Sequence, residues 1–108
     1  MEGQITFEQF QQLDLRVAEV VAAEKVKKSD RLLKLTVKAP EERTVVAGIA
    51  EFYQPEEIVG KQVIIVANLK PATIMGVTSH GMVLAAKDGK SLTVTTVSSH
   101  VAPGSKVS

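Results

Sequence analysis

The chain has 108 residues, of which 44% are hydrophobic and 23% are charged, as is ordinary for one globular domain. Its 13 basic residues nearly balance its 12 acidic ones, so the overall charge does not indicate a nucleic-acid partner. No apolar run reaches the ~18–20 residues of a membrane span, and the first residues show no secretory-signal pattern. The absence of cysteine excludes a disulfide framework and thiolate zinc sites. We expect one cytoplasmic domain over residues 1–108, with residues 1–4 as a candidate disordered tail.

The first predicted element is a short helix over residues 6–12. Thr6 is followed three residues later by Gln9, which is the pattern of a capping box. Phe7 and Phe10, three residues apart, would both face the core from this helix. Apolar and polar residues then alternate, which predicts strands at 13–21, 33–38 and 43–47. In the second of these strands the alternation places Lys34 on the solvent face with Thr36 and Lys38.

The second half of the chain predicts a further helix and more strands. Residues 52–58 read as one or two helical turns that Gly60 ends. The continuous apolar runs 63–67 and 82–86 predict strands buried on both faces. Asp88-Gly89 predicts a hairpin turn before a strand at 91–97. This order is typical of an all-β fold, a five-stranded OB-fold Greek-key barrel with a short N-terminal helix, a short helix between strands 3 and 4, and a C-terminal strand extension.

Positive charge is concentrated in one part of the sequence. Six basic residues lie among residues 25–38 against one acid, Asp30, whereas acids gather in the pairs 41–42 and 56–57. A basic face with acidic flanks is expected of a domain that meets a phosphate backbone locally. A hairpin whose lysines only keep it soluble would show the same pattern.

The chemistry-bearing residues do not form the pattern of an enzyme. The two histidines, His80 and His100, lie twenty residues apart with no ligand-like spacing around them, so no metal site is predicted. Ser79-His80 lacks a third triad member, and adjacent side chains rarely face each other. No glycine-rich nucleotide-binding motif is present. We therefore expect a non-catalytic module with no cofactor and no small-molecule substrate.

Several sequence blocks, in order and together covering most of the chain, resemble the tRNA-binding domain family. That family includes the C-terminal domain of bacterial methionyl-tRNA synthetases and freestanding dimeric tRNA-binding proteins. Two departures from its usual pattern are Ala18, where glycine is common, and His80, where Glu or Gln is common. The similar blocks are Leu13-Asp14-Leu15-Arg16-Val17, residues 29–35, residues 46–50, Asn68-Leu69-Lys70-Pro71, residues 79–86 and residues 101–107.

The resemblance implies binding of tRNA through one face of the barrel, without strong preference among tRNAs. Because only four residues are aromatic, contact with the backbone and shape of a folded RNA fits better than reading of successive bases. The candidate phosphate contacts are Lys25, Arg31, Lys34 and Lys70. Asn68 and Ser79 would bond to ribose or a base edge, Met82 would pack beneath a base or sugar, and His80 would adjust the contact.

Each of these assignments has a structural alternative. Asn68 could satisfy backbone groups of its loop, and Arg16 could pair with Asp14 or Glu19. Met75 and Met82 could be core residues.

The resemblance also implies a homodimer and leaves two functions open. The dimer surface would join the N-terminal helix to residues 91–107 through Leu92, Val94, Val97 and Val101. The first function is tRNA binding, with the catalytic part of a methionyl-tRNA synthetase as a further partner. The second is that of the dimeric export-related chaperone branch, which would bind unfolded polypeptide and would need an exposed apolar groove.

Overall fold

The computed structural model describes residues 3–108, so the first two residues of the expected tail lie outside the described residues. The helices are α1 (Phe7–Gln11) and α2 (Pro55–Ile58). The strands are β1 (Leu15–Lys25), β2 (Leu33–Lys38), β3 (Glu42–Ala47), β4 (Gln62–Val66), β5 (Ala72–Ile74), β6 (Val77–Ser79), β7 (Met82–Val83), β8 (Ala85–Asp88), β9 (Ser91–Val94) and β10 (Lys106–Val107). The first four strands and both helices match the predicted order.

Helix α1 begins at the predicted capping box. The Thr6 hydroxyl accepts a hydrogen bond from the Gln9 amide at 3.1 Å, and the Gln9 side chain accepts one from the Thr6 amide at 2.8 Å. The expectation for Phe7 was wrong: its side chain is 68% exposed, whereas Phe10 packs against the apolar cluster beneath the helix. Phe7 lies in the first turn of the helix, and its ring lines a surface hollow with Leu13 and Val107.

The main sheet has the strand order β3-β2-β1-β4-β7, in which β4 returns to lie beside β1 as in a Greek key. Strand β1 is long enough to serve two parts of the sheet. Its beginning lies between β4 and β10, and its end pairs with β2 after a register shift between Val20 and Ala22. The shift bends the strand, so the sheet curls into an open half-barrel that matches an OB-like fold.

Individual hydrogen bonds connect the two edges of the curled sheet. The Arg43 guanidinium on β3 donates to the carbonyl oxygens of Ala67 at 2.9 Å and His80 at 3.2 Å. The His80 amide in turn donates to the Thr44 carbonyl at 2.8 Å. These bonds hold the segment before β7 against β3 and narrow the opening of the half-barrel.

Two apolar clusters lie on opposite sides of the sheet. The larger fills the half-barrel and includes Ile58 of α2, and every residue of β4 is buried, as its continuous apolar sequence predicts. The smaller cluster is formed by Leu15, Val17, Ile64 and Val66 beneath Phe10 and the C-terminal segment. Both faces of β1 and β4 are therefore covered.

The structure corrects the prediction for residues 82–86. They form two strands, β7 and β8, rather than one buried strand, and Met82 is 52% exposed. The chain changes partners at Leu84, whose amide donates to the Ile64 carbonyl while its carbonyl accepts from Thr95. Beyond that point β8 pairs with β9 around the predicted turn at Gly89, and among residues 3–108 no second strand pairs with it.

The predicted strand 91–97 ends at Val94, and the following residues form an irregular segment up to β10. Hydrogen bonds from the Gln62 side chain, rather than strand pairing, attach that segment to the sheet. This buried side chain donates to the Val101 carbonyl at 2.7 Å and accepts from the Val101 amide at 3.1 Å. Leu92 and Val94, expected on a dimer surface, instead pack against the main core.

Candidate nucleic-acid interface

A basic cleft lies between the far end of the β1–β2 ladder and the β5–β6 hairpin. Its volume is about 280 Å³. We define the basic cleft by its lining residues, Glu24, Lys25, Val26, Lys27, Lys34, Met75 and Val77. Three lysines against one acid give the cleft an excess of positive charge, and the hairpin supplies its apolar side. The cleft therefore combines features that suit a phosphate and an adjoining apolar group.

Strand pairing positions the lysines of the cleft. Lys34 lies opposite Glu24, and Lys25 lies opposite Leu33 at the last pair of the β1–β2 ladder. The Lys34 ammonium is 3.4 Å from a Glu24 carboxylate oxygen, in a pair whose acid is mostly exposed. Such exposed pairs contribute only about 0–1 kcal/mol, so Glu24 does not prevent Lys34 from binding an anion.

The β5–β6 hairpin was not predicted and carries an exposed apolar tip. Ile74 pairs with Val77 around Met75 and Gly76, both of which have positive φ, at 51° and 80°. This is the backbone of a two-residue turn that matches the twist of a hairpin, in which glycine or asparagine is usual. The suggestion that Met75 is a core residue was wrong, because its side chain is 54% exposed. The turn points it outwards.

Asn68 and Ser79, predicted to contact RNA, both make hydrogen bonds within the protein, Asn68 as an exposed residue and Ser79 as a buried one. The Asn68 side chain accepts from the Asp14 amide at 2.9 Å and donates to the Gln12 carbonyl at 2.7 Å. The Ser79 side chain, 4% exposed, accepts from the Val46 amide at 2.9 Å and donates to the Gly81 carbonyl at 3.1 Å. Asn68 thus fixes the junction of α1 and β1, and Ser79 fixes the chain against β3.

Arg16 and two glycines complete these internal junctions. The Arg16 guanidinium donates to Asp14 at 2.7 Å, as suggested, and to the Gly104 carbonyl at 3.1 Å. A Cβ at Gly104 would lie 2.6 Å from the Pro40 nitrogen, and one at Gly81 would lie 2.9 Å from the Val66 carbonyl oxygen. We call Arg16, Asn68, Ser79, Gly81 and Gly104 the motif junctions, because they belong to the blocks that carry the family resemblance.

The other predicted site residues are dispersed. Arg31, with a side chain 79% exposed, lies 3.5 Å from a carboxylate oxygen of Glu51 in a separate hollow with Lys87 and Lys90. His80 lines a hollow with Arg43 and the acids Glu41 and Glu42, a setting that does not favour a phosphate. The side chains of Lys70 and Met82 are exposed and do not line the basic cleft.

Sequence reasoning overlooked Lys27, Met75 and Val77 as members of the site. Lys27 was part of the basic run, but its direction depends on the turn at residues 28–32. The signal for the other two was the dipeptide Met75-Gly76 between the β-favouring residues Ile74 and Val77, which is compatible with a hairpin.

Among residues 3–108, no group of three or more His, Asp or Glu side chains could hold a metal ion. Over the same residues, no helix is long and apolar enough to cross a membrane.

Residues 15–106 match the family described as "Putative tRNA binding domain". The chain belongs to this family. The match confirms the resemblance read from the sequence blocks, and it covers the basic cleft and the motif junctions together.

The chain is similar to parts of much longer ligases and to smaller proteins of known structure. The chain is 52% identical to a methionine–tRNA ligase of Thermotoga maritima over 99% of its own length, and 53% identical to that of Archaeoglobus fulgidus over 96%. It spans only 17% and 16% of the length of those two ligases. Among solved structures, a MetRS-related protein of Pyrococcus horikoshii has a TM-score of 0.92 at 38% identity, covering 99% of both chains. The chaperone CsaA of Bacillus anthracis has a TM-score of 0.89 at 26% identity, covering 98% of this chain and all of that one.

Proposed function

We propose that this chain is a non-catalytic tRNA-binding module that holds the phosphate backbone of folded tRNA at the basic cleft. The observation that carries the proposal is the convergence of Lys25, Lys27 and Lys34 on one cleft in a chain of the tRNA-binding domain family. Lysine side chains bind phosphate as mobile point charges, and such phosphate contacts do not distinguish one base from another. A site built from lysines therefore favours RNA without strong preference for sequence.

The internal hydrogen bonds of Asn68 and Ser79 give them supporting roles in this proposal. Their side-chain donors and acceptors hold the segments that flank the β5–β6 hairpin, so they position the apolar side of the cleft. Arg31 and Lys70 would act as outlying phosphate contacts, since both are exposed and charged. Met82 and His80 are left out of the interface because neither lines the basic cleft, and acids surround His80.

The module would act as the C-terminal tRNA-binding domain of a methionyl-tRNA synthetase. This part of the proposal is supported by identities of about half over nearly the whole chain to two methionine–tRNA ligases. The domain would raise the affinity of the synthetase for tRNA in the cytoplasm and perform no chemistry itself.

A homodimer would let two clefts bind one tRNA, which raises affinity without new contacts in either copy. Ile5, Phe7 and Leu13 are exposed apolar side chains on and beside α1. A hollow of about 210 Å³ between α1 and β10 is lined by Phe7, Leu13 and Val107. We propose this face, rather than one built on Leu92 and Val94, as the two-fold contact. A monomeric mass by light scattering at micromolar concentration would contradict it.

The experiment that tests the main proposal is a filter-binding titration with mixed tRNA at several salt concentrations. If the three lysines each neutralise a phosphate, log K should fall with log salt at a slope of about −2 to −3 per protomer. Single-stranded DNA should compete less well than tRNA, because a folded RNA offers phosphates in a fixed arrangement.

The same titration tests the second candidate function. The likeness to the chaperone CsaA raises unfolded polypeptide as a ligand. Absence of saturable tRNA binding, or a flat salt response with displacement by unfolded peptide, would overturn the tRNA proposal in favour of polypeptide binding.

A further inference from the structure

The tip of the β5–β6 hairpin brings an apolar side chain to the three lysines. Met75 and Val77 line the same cleft as Lys25, Lys27 and Lys34. Because the exposed methionine is not buried by the fold, its apolar area remains available to cover an apolar part of a ligand beside the lysines. A ligand with an anionic part and a flat apolar part would use both features.

We propose that the basic cleft binds one unstacked nucleotide of an RNA, with its base against Met75 and Val77 and its flanking phosphates on the lysines. The inference rests on the proposed function and specifies what the cleft recognises. Sequence-tolerant binding of single-stranded RNA commonly stacks a splayed base on an aromatic side chain beside a basic groove, and here the cleft offers Met75 in that place. Methionine is one of the side chains that can pack against an exposed base face.

The size of the cleft favours a single nucleotide. Its volume of about 280 Å³ lies near the lower end of the roughly 300–1,000 Å³ range of small-ligand sites, which gives room for one nucleotide but not for several. A double helix could present its phosphates to the lysines but not a base face to Met75, because its bases are stacked. The cleft should therefore discriminate between a single-stranded end and a closed stem.

The backbone conformation at the hairpin tip indicates that Met75 serves ligand binding rather than the turn itself. Met75 has a φ of 51°, a left-handed conformation that asparagine or glycine adopts more readily. A residue chosen for the turn alone would be one of those two. Methionine at this position keeps an apolar side chain in contact with the cleft despite the local backbone cost.

The test compares two RNA stem-loops that share a compact loop in which every base is paired or stacked and that differ only in a single-stranded end, which carries a fluorescent adenine analogue. The full chain should bind the stem-loop with the free end about threefold to tenfold more tightly than the closed one, and the analogue's fluorescence should change on binding. Met75→Asn should remove both the preference and the fluorescence change while the closed stem-loop binds as before. Because asparagine suits the turn, this variant should unfold at or above the wild-type temperature.

Two control variants separate apolar contact from general effects. Met75→Leu keeps an apolar side chain and should retain the preference. Val59→Ala removes a comparably exposed apolar side chain outside the cleft and should change nothing. Equal affinity for the two RNAs in the wild type, or an unchanged preference in Met75→Asn, would overturn the inference while leaving the proposed function intact. Failure to bind either RNA would overturn both.

Discussion

The motif junctions and the basic cleft use polar residues in opposite ways. At the junctions, Asn68 and Ser79 spend their hydrogen-bonding groups on backbone atoms of distant segments. At the cleft, the lysine ammonium groups remain at the surface, and Lys34 pairs with an exposed acid. Some residues of the family blocks therefore join distant parts of the half-barrel, whereas Lys34, which also belongs to one of these blocks, keeps its charged group at the surface.

The largest expected effect is a loss of folding stability on substitution of Gly81, which belongs to the motif junctions and not to the basic cleft. Gly81→Ala would place a Cβ 2.9 Å from the Val66 carbonyl oxygen at a φ of +136°. Backbone strain and overlap together should lower the free energy of unfolding by about 2–4 kcal/mol. Urea denaturation measures the loss. Gly48→Ala is the matched control, because a Cβ there meets nothing within 4 Å, and it should stay within about 0.5 kcal/mol of wild type.

Ser79→Ala tests whether this buried hydroxyl is structural. The substitution leaves the Val46 amide without its acceptor and should cost about 1–3 kcal/mol in urea denaturation. Binding of tRNA by the folded fraction should change little, because the cleft lysines are kept and Ser79 acts only by holding the hairpin in position. Thr78→Ala, on the same hairpin but exposed, should be nearly neutral for stability. If Ser79→Ala instead keeps wild-type stability and binds tRNA more weakly, then the Ser79 hydroxyl contacts RNA and its role is not structural.

The contrast between the strands and the motif junctions shows which features of the structure can be predicted from the sequence. The alternation in residues 33–38 and the apolar run at β4 predict their strands because burial repeats with the period of the strand. The role of Asn68 could not be read in the same way, because its partner Gln12 lies 56 residues away. Ser79 and Val46 are 33 residues apart. A polar side chain in a loop looks the same in sequence whether it faces solvent or a distant backbone group, so the sequence alone does not separate a structural role from contact with RNA.

The lysines of the cleft should affect binding without affecting folding. Lys25→Ala and Lys34→Ala should each weaken tRNA binding by about threefold to tenfold and reduce the magnitude of the salt slope by about 0.7–0.9. Thermal unfolding should be unchanged, since Lys34 loses only an exposed pair with Glu24. Lys61→Ala, an exposed lysine before β4, is the control. If both cleft variants bind like wild type, the RNA face lies elsewhere on the domain.

The smallest expected effect belongs to Arg31. It is part of the same basic run as Lys25, but its side chain lies in the hollow with Lys87 and Lys90 and is paired with Glu51 at 3.5 Å. If the cleft is the centre of RNA contact, Arg31→Ala should weaken tRNA binding less than about twofold, because a distant exposed charge is screened by salt. Titrations of Arg31→Ala and Lys25→Ala at one salt concentration measure the ratio. An Arg31 effect as large as that of Lys25 would mean that the bound RNA extends across the β1–β2 turn to the β8–β9 hairpin.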